Sequence, residues 1–340
     1  MPMQVALLKK PKSTVTVKAS LSAEEFTIHI QQVTQQAVAK AELPGFRKGK
    51  APEKMVVEKI GEATLLEEAA SEALNKVYPT ILKEHHIDAI GHPHVRITKL
   101  ARGNPLEFEA EIAVLPEITL PDYKDMATKK NAEQKKEIII TDEELNKTID
   151  WLQKSRAAKN GETTELTNEF AQSLGAYNTV DDLKNSIREN MKFEKEQKAR
   201  DERRMELLGA VAEKTTIELP DILVESEKEK MGLELKNGVE SIGMTWEAYL
   251  SHIKKTQDDL NTEWQKDAEK RAASALILRE IAKNEHIEPS DDELNAWVYN
   301  YLASRDESEK KNIDLVRVKE YAYGVLRNIK VFEFLERINE

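Results

Sequence analysis

The sequence predicts an α+β N-terminal domain followed by an elongated, all-α C-terminal domain with helical arms, and three observations carry that reading. Period-two apolar alternation, the signature of half-buried strands, is confined to residues 13–19 and 95–114. Helical spacings of three and four recur from residue 138 onward, introduced by Thr141 with Glu144 and Ser290 with Glu293 as capping boxes and Thr179 with Asp182 as a looser one. A chain of 340 residues also exceeds what one core ordinarily serves, so two or three domains are expected.

The first domain is assigned to residues 1–116. A strand is read at Ser13 to Ala19, then a helix at Ser22 to Ala41, with Phe26, Ile30, Val33 and Ala37 on one face and Ser22 with Glu25 as its capping box. A short helix follows at Pro52 to Ile60, with Pro52 at the first helical position, and a longer one at Thr64 to His85. Strands at Val95 to Leu100 and Leu106 to Val114 close the unit around the turn Gly103-Asn104-Pro105. Strand, helices and a hairpin of strands make an α+β layer arrangement.

Residues 117–137 have few periodic apolar positions and many lysines, and read as an extended linker. Residues 138–340 read as helix throughout. The segment from Asp181 to Lys214 contains no proline, and at 1.5 Å per residue it reaches roughly 50 Å, longer than a compact domain needs. Further helices are expected near Pro220 to Lys236, Thr245 to Lys255, Leu260 to Lys283, Ser290 to Ser304 and Asn312 to Ile338. Met191, Phe193, Met205, Leu207, Met231, Leu233, Met244, Trp246 and Tyr249 are candidates for partly open contact surfaces, although each taken singly reads as core.

Composition narrows the class. The absence of cysteine excludes disulfides and thiolate chemistry, and no run of eighteen apolar residues is present to span a membrane. The first twelve residues hold too short an apolar stretch for a secretory signal, so a cytoplasmic location is expected. The net charge of −11 is uneven: residues 1–60 carry ten Lys or Arg against five Glu. A basic head on an acidic body suits a head that meets nucleic acid or a ribonucleoprotein surface.

The strongest local signal is Gly45-Phe46-Arg47-Lys48-Gly49-Lys50-Ala51, placed between two helices. Gly45 and Gly49 permit the positive φ needed to bend the chain sharply. Arg47 offers a planar fork for phosphate, Lys48 and Lys50 add point charges, and Phe46 presents a flat apolar face. Taken alone, a basic turn between helices is common, and Phe46 could equally fold back into a core.

In its setting this loop resembles the ribosome-docking loop of trigger factor, the bacterial nascent-chain chaperone family. The resemblance extends to Ile138 to Lys154, to Leu166-Thr167-Asn168-Glu169-Phe170 with Thr179 to Met191, and to Ile217-Glu218-Leu219-Pro220. It implies that residues 1–116 are a ribosome-binding domain. Phe46, Arg47 and Lys48 would meet ribosomal protein and RNA near the exit tunnel, with Gly45, Gly49 and Lys50 completing the loop. It further implies a helical domain that shields nascent and unfolded polypeptides without ATP, and a capacity to form a homodimer. The family's prolyl isomerase domain is missing: a short loop at 159–165 stands where it would be inserted.

No enzyme or cofactor is therefore expected. The sequence has no dinucleotide fingerprint, phosphate loop, zinc-protease or serine-hydrolase motif. His85, His86, His92 and His94 cluster, but around a helix end and a Gly91-Pro93 turn with only Asp88 nearby, which favours loop histidines over a metal site. Two other readings remain open here: a ribosome- or nucleic-acid-associated helical scaffold without chaperone activity, and a secreted helical chaperone, against which the missing signal peptide argues.

Overall fold

Four strands, β1 (Gln4–Lys10), β2 (Thr14–Leu21), β3 (Ala89–Lys99) and β4 (Leu106–Val114), pair antiparallel in the order β1-β2-β4-β3 in a computed structural model that describes residues 3–133, 137–160, 165–310 and 313–338. The register follows from alternation along β4. Leu106, Phe108, Ala110 and Ile112 are buried, while Glu107, Glu109 and Glu111 face the other way. On that outer face Lys18 pairs with Glu109 at 2.6 Å and Lys10 with Glu111 at 3.3 Å. Such exposed pairs are screened by water and salt and add little, so apolar burial sets the register and the ions decorate it.

The buried face is covered by α1 (Ala23–Lys40) and α3 (Glu62–Glu84), with α2 (Glu53–Ile60) beside them. Phe26, Ile30, Val33, Leu65, Leu66, Ala69 and Ala73 interlock with Leu21 and Leu106, and Ile81 reaches Val17, Phe108 and Ile112. The capping box of α1 forms as expected, with Glu25 N–H donating to Ser22 Oγ and Ser22 N–H donating to Glu25 Oε2. Pro52 stands at the N-cap, one position before the helix it was expected to open. Two further differences concern the sheet. β1 was not expected, and β3 starts at Ala89, so Gly91-Pro93 is an irregularity inside a strand, with a register shift between Ile90 and His94.

The helices continue as α4 (Tyr123–Ala132), α5 (Asp142–Asn160), α6 (Asn168–Leu174), α7 (Val180–Glu213), α8 (Asp221–Ser241), α9 (Trp246–Ile253), α10 (Gln257–Glu263), α11 (Gln265–Asn284), α12 (Asp291–Ala303), the short α13 (Glu307–Lys310) and α14 (Leu315–Arg337). The expectation of an extended linker over 117–137 is corrected by α4, which Asp122 caps and which buries Tyr123 and Ala127, four residues apart on one face. Of the loop expected at 159–165, residues 159–160 complete α5 and 161–164 lie outside the described residues.

The contacts divide the chain into two units, residues 1–119 with 216–276 and residues 120–215 with 277–340. Residues 216–276, expected within the helical domain, therefore group with the sheet. Lys12 Nζ donates to both carboxylate oxygens of Asp221 at 2.8 and 3.0 Å, and Ser13 Oγ donates to the Glu218 carbonyl at 2.8 Å. Lys12 and Ser13 both hold positive φ in the tight turn between β1 and β2, and this turn aims the two side chains. Gly91, also at positive φ, leaves the space that Ile222 fills.

In the second unit, Leu145, Ile149, Phe170, Leu183 and Ile187 form one small core. Away from it, Glu336 is held by Arg200 Nε at 2.9 Å and by Arg204 Nε at 2.7 Å, and Asn131 Nδ2 donates to the carbonyls of Leu335, Glu336 and Ile338 at the end of α14. Burial raises the Glu336 pKa, but the hydrogen bonds from the two arginines outweigh it and hold the value at about 2.

A folded-state pKa below the ordinary carboxylate value of about 4.3 means that the stabilisation is complete above about pH 5 and disappears as pH falls toward 2. Glu336→Gln is expected to lower stability by about 2 kcal/mol at pH 7, because both arginines lose an ionic acceptor. The difference between the variant and the parent should be much smaller at pH 2.5 than at pH 7 and should vanish only below pH 2, as measured by urea unfolding followed by circular dichroism across that range.

Candidate docking loop and exposed helix surface

The basic heptapeptide folds as two consecutive turns closed onto the end of α1. Phe46 N–H donates to the Leu43 carbonyl at 3.0 Å, Lys50 N–H to the Arg47 carbonyl at 2.9 Å, and Gly49 N–H to the Ala41 carbonyl at 3.2 Å. Gly45 has φ +86° and Gly49 φ +73°, and at Gly49 a Cβ would lie 2.9 Å from the Ala39 carbonyl oxygen. Glycine is thus required there twice, for the left-handed backbone and for the close approach. Ala51 is buried and anchors the far side of the loop.

All six expected loop residues, Gly45, Phe46, Arg47, Lys48, Gly49 and Lys50, are brought together at this tip. Phe46 is 39% exposed rather than folded into the core, and Arg47, Lys48 and Lys50 are exposed around it. Lys48 Nζ lies 2.9 Å from Glu42 Oε1, and Lys59 Nζ donates to the Glu42 carbonyl at 3.1 Å. Glu42 was not anticipated, since nothing in the spacing of a charged loop says which acid will meet which lysine. Arg47 and Lys50 make no ion pair among the described residues, so their charge is available to a partner. The tip can do what an electropositive ring around an aromatic face does: ion-pair with phosphates or carboxylates while stacking or burying one apolar group.

The helices carry a second kind of surface. Among the nine side chains that individually read as core, only Leu207 is buried; Phe193, Met205, Leu233 and Met244 are exposed, and Met191, Met231, Trp246 and Tyr249 are half-buried. Trp151, Ile242, Tyr299 and Tyr321, not singled out beforehand, are exposed as well. Trp297 stacks on Tyr301 with centroids 5.4 Å apart and meets the edge of Tyr321 at 5.9 Å. Within the second unit an open groove of about 1500 Å³ runs between α4, α7 and α14, lined by both signs of charge with Leu207, Phe332 and Ile338 among them.

The histidine cluster does not converge. His85 caps α3, His86 follows at φ +52°, and His92 and His94 lie on β3; among the described residues no three His, Asp or Glu are placed to share a metal ion. Among the same residues no helix is long and apolar enough to cross a membrane.

A braced, aromatic-tipped basic loop on an α+β head, together with helices whose apolar side chains stay open, is the build of a binding protein with two exposed surfaces. Models of the bacterial trigger factor protein match residues 3–152, and of its C-terminus residues 179–335. The chain belongs to the trigger factor family. The trigger factor of Caldicellulosiruptor bescii is 23% identical, the alignment covering 98% of this chain and 96% of that protein, and that of Clostridium kluyveri is 24% identical with 98% of both covered. Both alignments run over 424 positions, more than the 340 residues available, so these relatives contain inserted sequence that this chain lacks. A solved chain from a study of promiscuous substrate recognition in folding and assembly activities of the trigger factor chaperone shares the fold, with a TM-score of 0.58 at 17% identity over 98% of this chain and 99% of that one.

The loop geometry gives a direct check. Gly49→Ala should destabilise the loop by about 2 kcal/mol, through left-handed strain plus the clash with Ala39, whereas Gly45→Ala meets open space and should cost about 1 kcal/mol. Amide hydrogen exchange at residues 46–50 is the readout, with faster exchange in the first variant than in the second.

Proposed function

We propose that this chain is an ATP-independent chaperone that docks at the ribosome exit tunnel through Phe46, Arg47 and Lys48 and shields nascent or unfolded polypeptide with its helical surface. The carrying observation is the loop itself: an exposed phenylalanine ringed by three cations on a backbone braced at Gly45 and Gly49. Arg47 and Lys50 are directed to phosphate or carboxylate on ribosomal RNA and protein, and Phe46 to an apolar recess beside them. Residues 1–116 then act as the docking head, in the cytoplasm where ribosomes are found.

The chain acts as a holdase and not as a prolyl isomerase. The family models leave residues 153–178 between them, and the relatives' alignments need more positions than this chain has, which supports loss of the inserted isomerase domain. Holding rests on the exposed apolar side chains, whose contacts exchange quickly, so a client leaves when it buries its own surface. Homodimer formation by the free chain belongs to the same reading, because open apolar surface is costly in water, and sedimentation velocity measures it.

Charge reversal at Arg47 and Lys48 is expected to reduce co-sedimentation with vacant and translating bacterial ribosomes at least tenfold at fixed salt, and to leave suppression of aggregation by the free protein unchanged. Ribosome binding that survives the reversal would remove the docking assignment. A chain that binds ribosomes but suppresses no aggregation would be a ribosome-associated scaffold.

A further inference from the structure

The sheet has two free edges, and they are built differently. β3 carries register shifts between Ile90 and His94 and between Ile97 and Lys99, with Pro93 removing one amide donor. Bulges and proline are how natural edges avoid pairing with another chain. β1 has neither bulge nor proline, and its one protection of this kind is the charge of Lys9 and Lys10 at its end. It pairs with β2 in unbroken register from Gln4 to Lys10, it contains no glycine or proline, and six of its seven residues are exposed. Leu7 and Leu8 are 40% and 49% exposed and point to opposite faces.

We propose that β1 is a strand-addition site that takes an extended, acidic-apolar polypeptide segment as a fifth strand. Charge decides the occupant. Lys10 is paired with Glu111 and Lys12 with Asp221, which leaves Lys9 exposed without an ion pair among the described residues. Residues 1–60 carry ten cations against five acids, so a second copy of the same strand would bring two like-charged heads together and offer Lys9 no acid. A segment with an acid opposite Lys9 and apolar residues opposite Leu8 and Leu7 satisfies all three positions at once. Backbone hydrogen bonds supply affinity independent of sequence, and the three side-chain positions supply the preference. The inference rests on the reading that the chain holds unfolded polypeptide, but it uses a surface separate from the loop at 45–50.

The test uses the full chain and the acetylated, amidated heptapeptide TEVVTVT, followed by fluorescence anisotropy and amide hydrogen exchange. Binding is expected to protect residues 4–10, to fall at least tenfold when alternate backbone nitrogens of the peptide are methylated, and to switch toward the peptide TKVVTVT in Lys9→Glu. Lys9→Glu should still co-sediment with ribosomes, which separates failure here from failure of the docking assignment. Equal binding of the methylated peptide, or protection confined to the helices, would overturn the proposal. Protection of residues 4–10 that rises with protein concentration in the absence of peptide would also overturn it, because the occupant would then be a second copy.

Discussion

The grip of Arg200 and Arg204 on Glu336 is the constraint on which the second unit depends. α7 is 34 residues long and buries Leu183 and Ile187 near one end and Leu207, Leu208 and Val211 near the other, with no buried residue between. Its middle therefore has no hydrophobic reason to stay against anything. The carboxylate of α14 supplies one, and Arg204 also lies over the Phe332 ring at 5.3 Å while Arg203 donates to the Lys130 carbonyl at 2.9 Å. A partly desolvated ion pair stabilises only when its remaining donors and acceptors are satisfied, and here two guanidiniums share one carboxylate while the Asn131 amide separately takes up the backbone carbonyls at the end of α14. The result is a helix junction held by charge and hydrogen bonds beside buried Leu207 and Leu335, while Met205, on the same helix as Leu207, stays exposed.

The α+β head solves the opposite problem. Its helices are covered by a continuous apolar layer, and what has to stay out of that layer is one aromatic ring. Backbone geometry contributes to this: Gly49 is pressed against Ala39 and bonded to Ala41, which ties the far side of the loop to the end of α1 and leaves Phe46 at the tip. The Lys48–Glu42 pair leaves the tip adjustable, since an exposed bridge is exchanged for a phosphate at little cost.

How much of this was legible follows from which signals are local. Capping boxes at Ser22, Thr141, Thr179 and Ser290 were readable because both partners lie within four residues. β1 was not, because an edge strand with six exposed residues has no apolar alternation to display. α4 was missed because two buried residues, Tyr123 and Ala127, are too few to make a period, although Asp122 was a readable cap. Tyr123 donates to Glu285 at 2.5 Å, a contact over 162 residues that no window of sequence contains; burial, and then that bond, push its phenol pKa up. The helix residues judged singly as core were misjudged for a related reason. An apolar stripe at spacing three and four shows that a face wants cover, and only the packing of other helices decides whether Phe193, Met205 or Leu233 receives it.

That shortage of cover sets the strength of holding. Fully burying one such side chain is worth about 1.5–3 kcal/mol, and association first costs at least about 4 kcal/mol of lost freedom. A client touching one exposed residue is therefore not held at all. Two contacts leave at most about 2 kcal/mol net and three at most about 5 kcal/mol, so even three at their best only reach the millimolar range, which corresponds to about 4 kcal/mol. Useful retention needs several sites engaged by one chain, or a high local concentration supplied by docking beside the source of that chain. On the docking proposal, the basic loop and the open helix surface are parts of one design: the loop would raise the local concentration at which weak contacts suffice, and the weakness of those contacts would permit release without nucleotide hydrolysis.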